Sequence, residues 1–284
     1  ADVIGLQRFL DQRGKRIPIV AKIEKPEALD HLDEILELTD GVMVARGDLG
    51  VELALERVPA AQKTIIEHAR MRGKFVITAT QMLESMIEHS SPTRAEVNDV
   101  ANAIFDGTDA VMLSAETASG KHPLEAVRMM ASIAIEAEKF LVGRPFSEPP
   151  LTAQTTHAEI ITEAAYHCAL SASVRAIVVF TSSGHTAQLI ARFRPRVPVF
   201  AFCETEEVAR KLAVIFGIHT VAPVRVKSTE QMLELSDQRL LIEGWSSIGD
   251  SVIAVAGAPF GTSGSANLIK LHKVGRVGIQ GSVE

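Results

Sequence analysis

Four short apolar runs, each ending in residues able to do chemistry, constrain this chain more than any other feature. They are Ile19-Val20-Ala21-Lys22-Ile23-Glu24-Lys25, Val42-Met43-Val44-Ala45 leading into Arg46-Gly47-Asp48-Leu49-Gly50, Phe75-Val76-Ile77-Thr78-Ala79 leading into Thr80-Gln81, and Ala110-Val111-Met112-Leu113 leading into Ser114-Ala115-Glu116-Thr117. Helical patterns at 27–38, 56–72, 94–104 and 123–141 follow them in turn. Pro59 near one helix start and Gly73 past its end are the expected punctuation. Thr93 three residues before Glu96 reads as a capping box. Thr39-Asp40-Gly41-Val42-Met43-Val44 and Thr108-Asp109-Ala110-Val111-Met112-Leu113 are alike enough to be an internal repeat. Repeated strand-then-helix units with polar strand ends are the pattern of a (β/α) barrel, whose active site gathers at that face. A full barrel has eight units, so these four predict an α/β fold that is half of a TIM barrel.

The first run is the most unusual as a strand. Successive strand side chains point to opposite faces, so Lys22 and Glu24 project the same way. Burying unpaired charge costs several kcal/mol, so a strand with a purely structural role rarely carries an ammonium and a carboxylate together. Something charged is expected to sit beside them. A simple ion pair in a barrel mouth is the competing reading. Arg46 stays open between an ion-pair strut and a substrate contact.

Arg144-Pro145-Phe146-Ser147-Glu148-Pro149-Pro150 lacks periodicity and reads as a linker. The domain expectation is 1–143 for the half-barrel, 144–156 for the linker and 157–284 for a second α/β domain. In the latter, Ala176–Phe180, Val197–Phe202, Thr220–Ala222 and Val252–Ala256 read as strands, and Glu206–Phe216 and Ser228–Leu241 as helices, giving an open layered sheet. The chain opens with Val3, Ile4, Leu6, Phe9 and Leu10 at helical spacing, as though in mid-domain.

Composition narrows the function classes. A net charge of −6 speaks against nucleic acid as the main partner. No apolar run reaches the ~20 residues that span a bilayer, and the opening residues do not read as a signal peptide. Cys168 and Cys203 are far apart and lack metal-ligand spacing, so neither a disulfide framework nor a zinc site is expected, and the cytoplasm is the default compartment. The nine His residues show no ligand spacing either.

Five motifs in order resemble the pyruvate kinase family: Ala21-Lys22-Ile23-Glu24, Met43-Val44-Ala45-Arg46-Gly47-Asp48-Leu49-Gly50, Ala79-Thr80-Gln81-Met82-Leu83-Glu84-Ser85-Met86, Pro92-Thr93-Arg94-Ala95-Glu96 and Met112-Leu113-Ser114-Ala115-Glu116-Thr117. The resemblance covers nearly the whole chain, more loosely after about residue 155. It implies the second half of a (β/α)8 TIM barrel followed by an open-sheet α/β C-terminal regulatory domain, with the earlier barrel units and a lid domain lying outside this chain. It also implies a glycolytic phosphotransferase that moves a phosphoryl group from phosphoenolpyruvate to ADP, giving pyruvate and ATP.

The residues suit that chemistry. Glu24 and Asp48 are hard oxygen donors apt for Mg²⁺ or Mn²⁺. Lys22 would stabilise the phosphoryl oxygens in transit. Gly47 allows close backbone approach, so the Gly47 and Asp48 amides with the Thr80 hydroxyl are the expected cradle for the substrate carboxylate. Thr80 and Ser114 are both candidates for the path that delivers a proton to the enolate, Thr80 the better supported. K⁺ is expected from the family, with its site and the ADP contacts outside this chain.

In the second domain, Thr181-Ser182-Ser183-Gly184-His185-Thr186 follows a strand and opens a helix, an arrangement able to take phosphate. A simple capped turn is the equal alternative, and neutral His185 is a weak phosphate partner. Gly257–Ser265 is a second glycine- and hydroxyl-rich loop. By resemblance these loops bind a phosphorylated effector, and the protein is a homo-oligomer, usually a tetramer. Two other functions are carried alongside: a non-catalytic effector-binding or assembly piece, and a lyase of the phosphoenolpyruvate/pyruvate barrel class. Lys22 and the Thr80–Glu84 segment favour the kinase. An isolated four-stranded parallel sheet has two open edges, so dimerisation, pairing with a further segment or disordered edges is expected.

Overall fold

The structure, a computed structural model, describes residues 2–14, 17–141, 146–149, 152, 155–259 and 266–275. The chain divides into two compact units, Ala1–Ser147 and Glu148–Glu284.

The first unit runs α1 (Asp2–Gln12), β1 (Val20–Ile23), α2 (Pro26–Asp30), α3 (Leu32–Leu38), β2 (Gly41–Ala45), α4 (Arg46–Glu52), α5 (Val58–Met71), β3 (Phe75–Ala79), α6 (Arg94–Asp106), β4 (Ala110–Met112), α7 (Ala115–Ala118) and α8 (Pro123–Leu141), with 3-10 turns at Leu55–Arg57 and Glu84–Ile87. The four strands form one parallel sheet in the order β1-β2-β3-β4. The helix expected over 27–38 is split at His31, whose φ of −112° and ψ of 22° leave the helical region. Residues 46–52, which the second apolar run leads into, coil into α4.

Strand register sorts the side chains into two layers. Ile23 stands beside Val44, and Val44 beside Thr78. That face carries Ile23, Val42, Val44 and Val76 into a core with Leu32, Leu36, Ile65 and Ile66 from the helices. The opposite face carries Lys22 beside Met43 and Met43 beside Ile77, all keeping some exposure. Lys22 therefore sits on the face that a closed barrel turns inward.

The sequence repeat is a structural repeat. The Asp40 carboxylate accepts from the Ile19 amide at 2.7 Å while the Asp40 amide donates to the Ile19 carbonyl at 2.9 Å. Asp109 makes the same pair with Val76, at 2.9 Å each. Each Thr-Asp step clips the start of a strand to its neighbour and so sets the register that lines up the strand ends.

The second unit runs α9 (His157–Ser171), β5 (Ala176–Thr181), α10 (His185–Ala191), β6 (Val199–Cys203), α11 (Glu206–Leu212), β7 (Ile218–Val221), α12 (Thr229–Ile242), β8 (Ser251–Gly257) and β9 (Ala266–Lys273). The sheet order is β7-β6-β5-β8-β9, parallel except for β9. All residues of β5 and β6 are buried, as continuous apolar strands covered on both faces should be. After β5 the chain builds β6 and β7 to one side and then returns to place β8 on the other. The carboxyl ends of β5 and β8 thus flank a topological switch point. Sequence reading missed α9 and β9: α9 buries mainly small residues, and β9 carries Lys270, His272 and Lys273 on an edge.

Candidate active site

At the end of β1, Lys22 Nζ lies 2.6 Å from Glu24 Oε2 and 2.6 Å from Asp48 Oδ2. Glu24 reaches this point because it is two residues along the same strand face, and Asp48 because the first turn of α4 begins directly after β2. The Asp48 and Glu24 hydrogen bonds, in that order, hold the Lys22 ammonium above its ordinary pKa. All three side chains are open to solvent, Lys22 at 49%, Glu24 at 38% and Asp48 at 54% exposure. The two carboxylates already converge on one cation, the ammonium they share. As hard, partly exposed oxygen donors, Glu24 and Asp48 fit Mg²⁺ or Mn²⁺.

Beside this cluster, the Gly47 amide donates to Thr80 Oγ1 at 2.8 Å, and the Thr80 hydroxyl donates to the Ala79 carbonyl at 2.6 Å. Glycine at 47 leaves room for this approach: a Cβ there would meet Thr80 Oγ1 at 3.3 Å, a tight contact. Thr80 and Gln81 have φ of +69° and +53°, two successive non-glycine residues in the left-handed region. Strain of this kind, of order 1–3 kcal/mol per residue, persists only where the surroundings enforce it. The Arg46 guanidinium meets this turn: it donates to the Thr80 carbonyl at 3.2 and 2.7 Å and to the Gln81 carbonyl at 2.9 Å, and pairs with Asp99 of α6 at 2.7 Å. These are the contacts of an ion-pair strut, one of the two readings the sequence leaves open for Arg46.

Ser114 has a different hydrogen-bond partner. Its amide donates to Glu116 Oε2 at 2.8 Å, and no hydrogen bond among the described residues joins it to Lys22, Glu24, Asp48 or Thr80. Glu116, buried at 3% exposure, also accepts from the Leu83 amide and so ties the ends of β3 and β4 together. Neither Glu116 nor Asp99 stands out in the sequence as a site residue. A carboxylate two residues after the strand-end serine is the available signal for the first, whereas Asp99 gives none.

The second unit places the Thr181–Thr186 loop at the switch point, but with divided roles. Thr181 and Thr186 are buried, and Thr181 Oγ1 accepts from the Gly184 amide at 2.9 Å. Ser183 and His185 are exposed and Ser182 partly so. Gly184 has φ of +90° at the start of α10. In the second loop, the Asn267 amide group bonds both Ala258 backbone atoms, at 2.8 and 2.6 Å, while Phe260–Ser265 lie outside the described residues.

Although the histidines show no ligand spacing in sequence, the structure gathers Glu148, Glu163 and His167 with ligand atoms within 4.8 Å of one another. Glu163 and His167, at i and i+4 on α9, are the legible part of that cluster. His167 Nε2 lies 3.3 Å from Glu148 and 3.9 Å from Glu163. Cys168 and Cys203 are free, and burial pushes the Cys203 thiol up to about 11. No helix among the described residues is long and apolar enough to cross a membrane.

Fold and site define a class: an α/β chain with a charged, cation-ready face at the carboxyl ends of a barrel-type parallel sheet, joined to a doubly wound unit. Comparison with known proteins makes the class specific. Residues 1–127 match the pyruvate kinase barrel-domain model and residues 159–272 match the pyruvate kinase alpha/beta-domain model. The chain belongs to the pyruvate kinase family. It is 46% identical over 276 residues to a pyruvate kinase of Geobacillus stearothermophilus, covering 96% of this chain and 47% of that protein. With a Mycobacterium tuberculosis pyruvate kinase it shares 47% identity, covering 97% of this chain and 58% of the relative. The crystal structure of a pyruvate kinase from Cryptosporidium parvum superposes with a TM-score of 0.87 at 34% identity, covering 96% of this chain and 56% of that one. The chain spans about half the length of the curated relatives it matches.

Proposed function

We propose that this chain carries the metal- and enolate-binding part of a pyruvate kinase site, for transfer of a phosphoryl group from phosphoenolpyruvate to ADP. The observation that supports the reading best is the convergence of Glu24 and Asp48 on Lys22 Nζ at 2.6 Å, beside the Gly47–Thr80 pair. Glu24 and Asp48 would hold Mg²⁺ or Mn²⁺, which as a Lewis acid would offset charge on the enolate and phosphoryl oxygens. Lys22, kept protonated by its two carboxylates, offers a fixed positive charge to the phosphoryl group as its bond to the enol oxygen breaks and its bond to the ADP oxygen forms. The Gly47 and Asp48 amides with the Thr80 hydroxyl bind the substrate carboxylate, orienting the enolate for proton uptake at its terminal carbon. Thr80 stands on that proton's path, with Ser114 the second candidate.

In this reading the domains are 1–143 for the catalytic half-barrel, 144–156 for the linker and 157–284 for the regulatory part. A phosphorylated effector would meet Ser182, Ser183, Gly184 and His185 over a turn that Thr181 braces and in which Thr186 is buried. The switch-point position of this loop favours that assignment over a capped turn alone. K⁺ dependence, adenine nucleotide binding, a homotetrameric assembly, allosteric control and a cytoplasmic, glycolytic setting complete the proposal by family.

The test is binding of Mn²⁺, followed by electron paramagnetic resonance, with and without oxalate, a planar dianion shaped like enolpyruvate. The chain should bind Mn²⁺ and then oxalate, and Glu24→Gln or Asp48→Asn should each weaken Mn²⁺ about tenfold or more. Lys22→Ala should lower any measurable pyruvate formation by about 10²–10³. Absence of Mn²⁺ and oxalate binding by the wild-type chain, or wild-type binding by both carboxylate variants, would sink the reading.

A further inference from the structure

The Thr80–Gln81 turn is strained, carries the hydroxyl proposed to bind the substrate carboxylate, and is held by a side chain that, among the described residues, makes no hydrogen bond or ion pair with the cation-ready cluster. Arg46 is 8% exposed and, among the described residues, has no hydrogen bond or ion pair to Lys22, Glu24 or Asp48. Three of its N–H to carbonyl contacts go to Thr80 and Gln81, Met82 Sδ lies 3.1 Å from Nη2, and Asp99 pairs with Nη1 at 2.7 Å. A planar guanidinium can do this because its donors lie in a fixed fork, which an ammonium lacks. Two adjacent carbonyls turned toward one cation are compatible with the left-handed conformation of Thr80 and Gln81, and that conformation aims Thr80 Oγ1 at the Gly47 amide, 2.8 Å away.

We infer that Arg46, anchored by Asp99, is the positioning residue for the carboxylate pocket: it sets the Thr80–Gln81 turn and through it the distance between the Thr80 hydroxyl and the Gly47 amide. The inference rests on the proposed role of Thr80 and Gly47. It separates two properties that share one strand-end face. Mn²⁺ affinity depends on Glu24 and Asp48, to which Arg46 makes no hydrogen bond or ion pair among the described residues, whereas anion affinity depends on the turn that Arg46 holds. Asp99 extends the control to α6, so a change on that helix reaches the pocket without touching substrate.

The experiment compares the wild-type chain with Arg46→Lys, which keeps charge and most of the volume but removes the fork, and with Asp99→Asn, which keeps shape but removes the anchor. Three quantities are measured: Mn²⁺ affinity, oxalate affinity at saturating Mn²⁺, and hydrogen exchange of the Gly47 amide by NMR. In Arg46→Lys, oxalate affinity should fall about tenfold or more and Gly47 exchange should rise by a similar factor, while Mn²⁺ affinity stays within about twofold of wild type. Asp99→Asn should move the same two quantities in the same direction by a smaller factor. Unchanged oxalate affinity and Gly47 protection in Arg46→Lys would overturn the inference. So would a parallel loss of Mn²⁺ and oxalate binding, which would make Arg46 a general structural residue. If the wild-type chain binds Mn²⁺ but no oxalate, the functional reading fails, and Gly47 exchange in the two variants still decides whether Arg46 sets the turn.

Discussion

The two sheets of this chain solve the same folding problem with different completeness. In the second, β5 and β6 are buried at every position and the helices close over a continuous core containing Phe180, Phe200, Phe202, Met232 and Leu240. In the first, β1 buries only Ile23 of its four residues and β4 buries none, and the core cluster shared with the helices draws Ile23, Val42, Val44 and Val76 from one face. The difference separates two uses of a parallel sheet. A sheet covered on both faces has only its strand ends left for function, and in the second unit those ends meet at the switch point. A sheet of the barrel type can carry charge at the strand ends of its inward face, as Lys22 does.

The largest expected effect lies where burial is complete. Phe200, 1% exposed and in edge-to-face contact with Trp245 at 5.4 Å, should cost about 3–5 kcal/mol when replaced by alanine. Trp245 is the chain's one tryptophan, so its fluorescence during urea unfolding reports this core selectively. A cost near 1 kcal/mol would mean that the second core is loose and the contrast with the first sheet is false.

The same comparison predicts a graded response in the first unit. Leu36, fully buried against the helix-side layer, should cost about 2–5 kcal/mol as alanine. Val111, in the half-exposed β4, should cost only about 1 kcal/mol. Both are measured by urea unfolding followed with far-ultraviolet circular dichroism, since the first unit has no tryptophan. If Val111→Ala costs as much as Leu36→Ala, and more at higher protein concentration, the β4 edge is covered by a second copy of the chain in solution.

What could be read from sequence follows the same division. The four strands of the first unit, the Thr-Asp repeat and the Lys22–Glu24–Asp48 cluster were legible because each is a local pattern: alternation along a strand, or carboxylates within three residues of a strand end. The left-handed Thr80–Gln81 turn was not, because neither residue type announces positive φ and the conformation is imposed by Arg46 from another strand end. Arg46's partner Asp99 is 53 residues away and looks like any polar helix residue. Helix α9 was overlooked for a different reason. Its buried positions include Ala158, Thr162 and Ala165, which pack well in three dimensions yet give little hydrophobic contrast along the chain.

The finest test compares two capping boxes with the same local grammar, one in each unit. Thr93 with Glu96 opens α6, and Thr156 with Glu159 opens α9. Each Thr→Ala change should cost about 1 kcal/mol. The glutamates differ in the partner they meet beyond the box. Glu96 accepts from the Ser85 amide and hydroxyl at 2.7 and 2.6 Å, whereas Glu159 faces the buried Arg192 guanidinium at 3.2 Å. Burial raises both carboxyls, and the hydrogen bonds outweigh it, from Ser85 and Thr93 for Glu96 and from Thr156 and Arg192 for Glu159, so both end below their ordinary value. A carboxyl lowered on folding contributes stability that is present above its unfolded pKa of about 4.3 and is lost as pH falls through the folded value. Glu96→Gln and Glu159→Gln should therefore each flatten the loss of stability on acidification below that pH. The effect should be larger for Glu159, because a carboxylate opposite a desolvated guanidinium is worth more than one facing a hydroxyl and an amide. Urea unfolding at pH values of about 7 and about 3, either side of that unfolded pKa, measures both, read by Trp245 for the second unit and circular dichroism for the first. Equal flattening would mean that the shared box, and not the additional partner, sets the carboxyl's contribution.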